Sequence, residues 1–462
     1  MKRVVLKRCI LISVINLILL GKICSGSSHL QEKTCNNSSY SSEQTSNNFS
    51  HSQKKTCNNS SHLSKKICSD SQHLPQNIQD IYLPKTSGIR TDILKNITFV
   101  VEKSIAAQHY PGAVILVEHR GKIIYRGVFG NRRILPNIAP MRENTIFDLA
   151  SLTKVLATTP AIMQLIEQGQ LTLDAAVATY WPAFGKHGKD KITIRELLTH
   201  ESGLPADIPI KQQSKLLIYQ QIEQLSLPPS SSKHFLYSDI NFIVLAHLVE
   251  IVSGEPFNIY CKHHIFDPLG MKNTYFLPKK SLHDLIAPTE ISSSQLLWGI
   301  PQDPLSQAIG GISGNAGLFS NAHDISLYLQ CLLNGGRIGK TNHYLLGPLS
   351  ILKMTTPQTP PNDANVRGLG WDIDSVYSNR GILFPMTSYG HTGWTGTSIW
   401  VDPTTQTYII ILTSRLHPHA AAHNSLIEDR RLIANFVAAS ITDISTYTQR
   451  NTGLGELSRA YS

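Results

Sequence analysis

Two β-rich pairs, one near each end of the apolar part of this chain, limit its fold more than any other pattern. Ala113 to Glu118 and Lys122 to Val128 are divided by Arg120-Gly121, a dipeptide that suits a tight hairpin. Thr397 to Val401 and Thr407 to Thr413 repeat the arrangement, turned at Asp402-Pro403-Thr404. Helical patterns frame both pairs: Ile93, Leu94, Ile97, Val100, Val101, Ile105 and Ala106 fall largely on one helix face, and Ser425 to Ala439 reads as a closing helix. Residues from about 151 to 335 are mainly helical. This order predicts an α+β fold, with an antiparallel sheet built from both chain ends, flanked by terminal helices and carrying a mainly helical inserted subdomain.

The 462 residues, 41% of them hydrophobic, are enough for a large core, but the apolar content is not spread evenly. Residues 1–26 read as a signal peptide or N-terminal anchor: Lys2, Arg3, Lys7 and Arg8 precede an uncharged apolar run from Cys9 to Gly21. That run is short for a membrane span, and the residues after it make a poor cleavage site, so cleavage and retention as an anchor both stay open. Residues 27–88 are a Ser/Asn/Lys/Cys-rich linker expected to be disordered, 89–442 form the folded domain, and 443–462 are a C-terminal tail. The linker region repeats a Lys-x-Cys-polar pattern at Lys22, Lys33, Lys55 and Lys66, which reads either as a cross-linking tether or as duplicated low-complexity sequence.

Residues 1–80 hold 10 Lys+Arg against 4 Asp+Glu, so most of the formal net charge of +10 belongs to the tail. A basic arm of this kind suits an anionic membrane surface or wall polymer in the periplasm or cell envelope. Nucleic acid is not expected as a partner, because the basic residues do not gather with aromatics on a folded face. Only Cys261 and Cys331 of the seven cysteines lie in the body, so the fold is no disulfide scaffold. Cys261-Lys262-His263-His264 is read as a surface turn, and no metal site is expected.

Chemistry enters at Ser151. Phe147 to Lys154 leads directly into the helical run Val155 to Met163, so Ser151 stands at a helix start with Lys154 three residues on, on the same face. A lysine desolvated beside a serine can take its proton once its pKa falls toward about 7 to 8, and the helix N-terminus favours the resulting anion. Such spacing also arises by chance, and on its own Ser151 reads more simply as an N-cap. Tyr237 would serve as a proton carrier near that lysine, or simply begin the helix that continues through Phe242, Val244, Leu245 and Leu248. Gly390-His391-Thr392-Gly393-Trp394 taken alone reads as a glycine-flanked turn with a structural histidine.

Together and in this order, the three segments resemble the boxes of the penicillin-recognising serine hydrolases, which comprise class C β-lactamases, DD-peptidases and their esterase and D-aminopeptidase relatives. Ser151-Leu152-Thr153-Lys154 is similar to the first box, Tyr237-Ser238-Asp239 to Tyr-x-Asn, and His391-Thr392-Gly393 to the His-Thr-Gly form of the third. Glu196 to Pro205, Pro268 to Met271 and Gly314 to Ser320 are similar to family text, and the likeness covers roughly residues 91 to 440.

The resemblance implies Ser151 as nucleophile, with Lys154 and Tyr237 moving its proton. It places His391, Thr392 and Gly393 on a strand beside the serine, with glycine admitting a substrate backbone, and the Trp394 and Ser151 amides in an oxyanion hole. Asp239 departs from the usual Asn, so either Asn241 supplies the amide contact or Asp239 pairs with Lys154 and fixes it. The histidine of the third box is only partly charged near neutrality and resembles the DD-peptidase and D-aminopeptidase branches. The implied function is hydrolysis of amides or esters through an acyl-enzyme, first of all on D-Ala-D-Ala or related D-amino-acid peptides of the cell envelope. A β-lactamase or esterase is the alternative within the family, and a catalytically weak wall-peptide-binding protein is the alternative of another class. No cofactor is expected, and no HExxH, Walker loop, dinucleotide fingerprint or complete G-x-S-x-G elbow occurs.

Overall fold

A computed structural model describes residues 78–82, 88–210, 214–227, 234–419 and 423–444. All of these fall within the unit Pro75–Ser462. The export segment, the cysteine repeats and most of the linker and C-terminal tail lie outside the described residues.

Strands β1 (Ile78–Tyr82), β2 (Gly112–His119), β3 (Lys122–Arg133) and β4 (Ala139–Pro140) come from one end of this unit, with helix α1 (Thr91–Ala106) between β1 and β2. Two-residue β5 (Phe147–Asp148) follows, and with β6 (Tyr275–Phe276) and β7 (Leu318–Ser320) it forms a small separate sheet in which β7 pairs with both of the others, in the order β5-β7-β6. The other end supplies β8 (Val366–Arg367), β9 (Asp372–Asp374), β10 (Tyr389–Thr392), β11 (Ser398–Asp402) and β12 (Thr407–Thr413). Among the described residues the large sheet has nine strands, all paired antiparallel, in the order β1-β3-β2-β12-β11-β10-β9-β8, with β4 on β3. Both expected hairpins are present, and β12 joins them by pairing with β2 over Thr407↔His119 to Thr413↔Ala113. Arg120 and Gly121 both take positive φ, 50° and 73°, the left-handed pair that a two-residue hairpin twisting with its strands needs.

Side chains of β2 and β12 point alternately to two different cores. Val114, Leu116, Tyr408, Ile410 and Leu412 pack with the helical part of the chain. Ala113, Ile115, Val117, Ile409 and Ile411 pack instead with Leu94, Ile97 and Val101 of α1 and with Val437 of the closing helix. Covering on both faces is why these strands read as unbroken apolar runs where a half-exposed antiparallel strand would alternate.

The expected terminal helix is His423–Ser440, and the middle of the chain is mainly helical. Two differences concern boundaries. Strand β1 lies inside the stretch 27–88 read as linker, because its polar composition hid a strand whose backbone pairs with β3. Asp443, placed in the tail, pairs with Arg120 at 2.7 Å and His119 at 3.2 Å and so closes the body onto the first hairpin. The small sheet went unread because its strands are two or three residues long. The Cys261 segment is helical where a turn was expected: Cys261 is buried, and His263 and His264 face Glu255 at 3.6 and 2.8 Å.

Buried His417 ties the segment after β12 to the segment after β3. Its Nε2 accepts the Ile134 and Leu135 amides at 2.9 and 3.2 Å, which requires a neutral ring. Burial pushes its pKa down to about 4, against about 6.5 for an unfolded histidine. With the folded value depressed, the group's contribution is complete above about pH 6.5 and is lost as pH falls through about 4. The expected result is that His417→Gln lowers the melting temperature most at pH 7 and hardly at all at pH 4. A difference that stays constant across that range would remove the histidine from this role.

Candidate active site

Ser151 sits at the end of a segment clamped from three sides. Strand β5 pairs with β7, and the Leu149 amide bonds to the Leu318 carbonyl at 2.9 Å. Thr395 and Thr397, in the turn after β10, donate to the Asp148 and Leu149 carbonyls at 2.7 and 3.1 Å. The buried Asp148 carboxylate accepts the Ala150 and Gln302 amides at 2.9 and 2.7 Å, while its burial pushes the pKa up to about 7. Held in this way, Ala150 adopts φ 44°, left-handed for a residue with a Cβ and a strained conformation of the kind that needs surrounding support. Ser151 follows in a single 3₁₀ turn, Ala150–Leu152, and Lys154–Thr158 forms a widened π-type turn before helix α2 (Thr159–Glu167). The first turn is flanked by Leu149, so Ser151 is not the N-cap.

Fully buried Lys154 reaches back to the serine. Its Nζ donates to Ser151 Oγ at 3.0 Å and to the Asn315 carbonyl at 2.9 Å, and pairs with Asp239 Oδ1 at 2.7 Å. Asp239 opens helix α4 (Asp239–Ser253), where the helix N-terminus favours its negative charge. These contacts overturn the expectation of a lysine brought down to pKa 7 to 8. Burial does work against the charge, but Asp239 and Tyr237 outweigh it and hold the pKa above the ordinary lysine value. Of the two alternatives, an amide contact from Asn241 or a pairing of Asp239 with Lys154, the pairing is the one present. Asp303 stands behind this pair, accepting the Asn315 side-chain amide at 3.0 Å and the Ser306 backbone amide at 2.7 Å, and its pKa is raised by burial and by Asp239.

Tyr237 is half-buried, with Lys154 Nζ 5.1 Å from its ring centre. Its ring stacks on His200 at 4.4 Å and lies 5.6 Å from Tyr377 and 6.2 Å from His391. Asn241, the expected substitute amide, is turned into the core instead. It is fully buried, accepts from Ser202 Oγ at 2.6 Å and contacts His200 Nδ1 at 3.3 Å, because its place in α4 faces inward.

The third segment also departs from expectation in three ways. Strand β10 ends at Thr392, and Gly393 and Trp394 belong to the turn beyond it. His391 is neutral, not partly charged: burial first, then the Arg367 and Lys154 cations, hold its pKa well below the usual value. Its Nδ1 donates to the Thr392 carbonyl at 2.9 Å, which leaves Nε2 as the lone-pair nitrogen. The bare Cα of Gly393 admits the protein itself where a substrate backbone was expected, since a Cβ there would overlap Thr397 Oγ1 and the Leu149 carbonyl, two residues before Ser151. Thr392 is half-buried, and Trp394 is 54% exposed with Arg415 4.4 Å from its ring.

Ser151, Lys154, Tyr237 and Asp239 thus gather around one ammonium, with His391 close by. Asp148, Asp303, Asn315 and Arg367 were missed as site residues. Asn315 acts through its backbone carbonyl, which no side-chain type announces; Asp148, three residues before Ser151, acts on backbone amides rather than on a side chain of the boxes; and Asp303 and Arg367 are isolated in sequence from every box. Chemically, the arrangement offers a hydroxyl, a phenol and a fixed cation side by side, the parts of an acyl-transfer site that works by proton relay.

A family model described as Beta-lactamase matches residues 98–431. A Salmonella schwarzengrund protein named "Putative D-alanyl-D-alanine carboxypeptidase" is 31% identical over 371 residues, covering 72% of this chain and 84% of that one. Among solved structures, EstCE1, described as a hydrolase with promiscuous acyltransferase activity, superposes with a TM-score of 0.61 at 22% identity, covering 74% of this chain and 99% of that one. A penicillin-binding protein homologue from Caulobacter crescentus gives 0.60 at 20% identity, covering 78% and 100%.

Proposed function

We propose that this chain, which belongs to the β-lactamase family of serine hydrolases, hydrolyses D-Ala-D-Ala or related D-amino-acid peptides of the cell envelope through an acyl-enzyme on Ser151. The observation that carries the reading is the contact of Lys154 Nζ with Ser151 Oγ at 3.0 Å while the same nitrogen is held charged by Asp239 at 2.7 Å. A cationic lysine does not accept a proton, so in this mechanism the serine proton passes to the Tyr237 oxygen, which takes it up as a phenolate and holds it as a phenol. Ser151 Oγ bonds to the carbonyl carbon, and the amides of Ser151 and Trp394 take the oxyanion. Collapse breaks the bond to the leaving amine, which takes its proton back from Tyr237, and water then releases the acyl group by the same route.

The substrate class rests on the 31%-identical relative's name and on a histidine in the third segment. Esters are the second reading, favoured by the neutrality of His391, which offers no permanent cation to a substrate carboxylate. The basic N-terminal region and the apolar run before it support an exported protein of the periplasm or envelope, associated with the membrane surface through that tail.

The test is a panel of a D-Ala-D-Ala peptide, a D-amino-acid amide, a simple ester and a penicillin, with intact mass followed over time. Turnover of the D-amino-acid substrates ahead of the ester supports the assignment. Turnover of the ester alone transfers it to the second reading, and binding of peptide with no acyl adduct on any substrate would make the chain a wall-peptide-binding protein.

A further inference from the structure

Helix α3 (Ile194–Thr199), placed before α4 in the chain, ends at His200, which takes a left-handed conformation at φ 62°, ψ 35°. From there one residue holds the backbone on both sides of Tyr237. The His200 carbonyl accepts the Leu236 amide at 2.8 Å, and its ring Nδ1 accepts the Ser238 amide at 3.0 Å. Between those two bonds the ring lies on the Tyr237 ring at 4.4 Å and 24°. Phe242 and Phe235 close around it at 5.2 and 6.1 Å. Because a backbone N–H can only donate, Nδ1 must carry the lone pair. The ring is fully buried and neutral, its pKa lowered first by burial and then by the Arg367 and Lys154 cations and by His391.

We propose that His200 is a positioning residue for the Tyr237 phenol, its ring and carbonyl fixing residues 236–238 so that the phenol stays beside Lys154 and Ser151. The proposal rests on the reading of Tyr237 as proton carrier, and its experiment separates the two. Acylation by an ester or penicillin reporter is measured in the full chain for His200→Phe, His200→Asn, Tyr237→Phe and the two double variants. His200→Phe keeps an aromatic ring but loses the acceptor for Ser238. His200→Asn keeps a short polar acceptor and tolerates the left-handed backbone but loses the stack.

The expected result is a fall in kcat of roughly thirtyfold for His200→Phe with KM within about threefold, and of about tenfold or less for His200→Asn. Coupling decides the matter: with Tyr237→Phe already present, either His200 substitution should cost less than about threefold, since the phenol it positions is gone. Equal costs in both backgrounds, or costs that follow only a lowered melting temperature, would overturn the proposal and leave His200 a packing residue. If His200→Phe does not fold, the His200→Asn cycle gives the same answer. Full activity of Tyr237→Phe alone would remove the proton-carrier reading, and the positioning role would fall with it.

Discussion

Ser151→Ala is expected to lower turnover by about 10⁴-fold or more and to abolish covalent labelling, while leaving the melting temperature almost unchanged. The two expectations have separate causes. Among the described residues Oγ takes its hydrogen bond from Lys154, and that ammonium keeps Asp239 and the Asn315 carbonyl as partners when the hydroxyl is gone. The strained approach to the serine is held by groups on other residues, namely Asp148, Thr395 and Thr397. The substitution therefore removes the nucleophile and little else. A fluorescent penicillin with intact-mass detection reads the outcome directly, and an adduct of the same mass in the Ala variant would place the acyl group elsewhere.

What the sequence disclosed follows a physical rule. Hairpins, terminal helices and the helical middle were legible because apolar periodicity and the Arg120-Gly121 turn are local properties. Ser151, Lys154 and Tyr237 were legible because reactive side chains must be of a few types at set spacing. The charge on Lys154 was not, since it depends on Asp239, 85 residues away, and on the balance of burial against one carboxylate. Asn241 was misplaced for a related reason: two residues along a helix turn a side chain through more than half a circle, so neighbours of a site residue face away from it. Gly393 shows the same limit, as a missing Cβ in sequence does not say whether substrate or the protein's own backbone fills the space.

Lys154→Met should be the most damaging single change to the molecule as a whole, because it acts on catalysis and stability at once. Methionine is chosen for its similar length and unbranched chain, so that the packing against Phe242 and the Tyr237 ring is largely kept. The loss in turnover is expected to be about 10³-fold or more, since the cation that contacts Ser151 Oγ and lies 5.1 Å from the Tyr237 ring centre is gone. The loss in stability comes from what is left behind: Asp239, with 25% of its side chain exposed, would face the Asn315 carbonyl and the raised Asp303 carboxyl with no counter-charge. Stranding one partner of a buried ion pair costs about 3 to 5 kcal/mol, and the partial exposure of Asp239 places this case near the lower figure. Adding Asp239→Asn removes the stranded charge, so the double variant should regain most of the lost denaturation midpoint and none of the activity. Recovery of both would show that the lysine serves only to neutralise Asp239, and recovery of neither would show that the pair is not what holds this part of the fold.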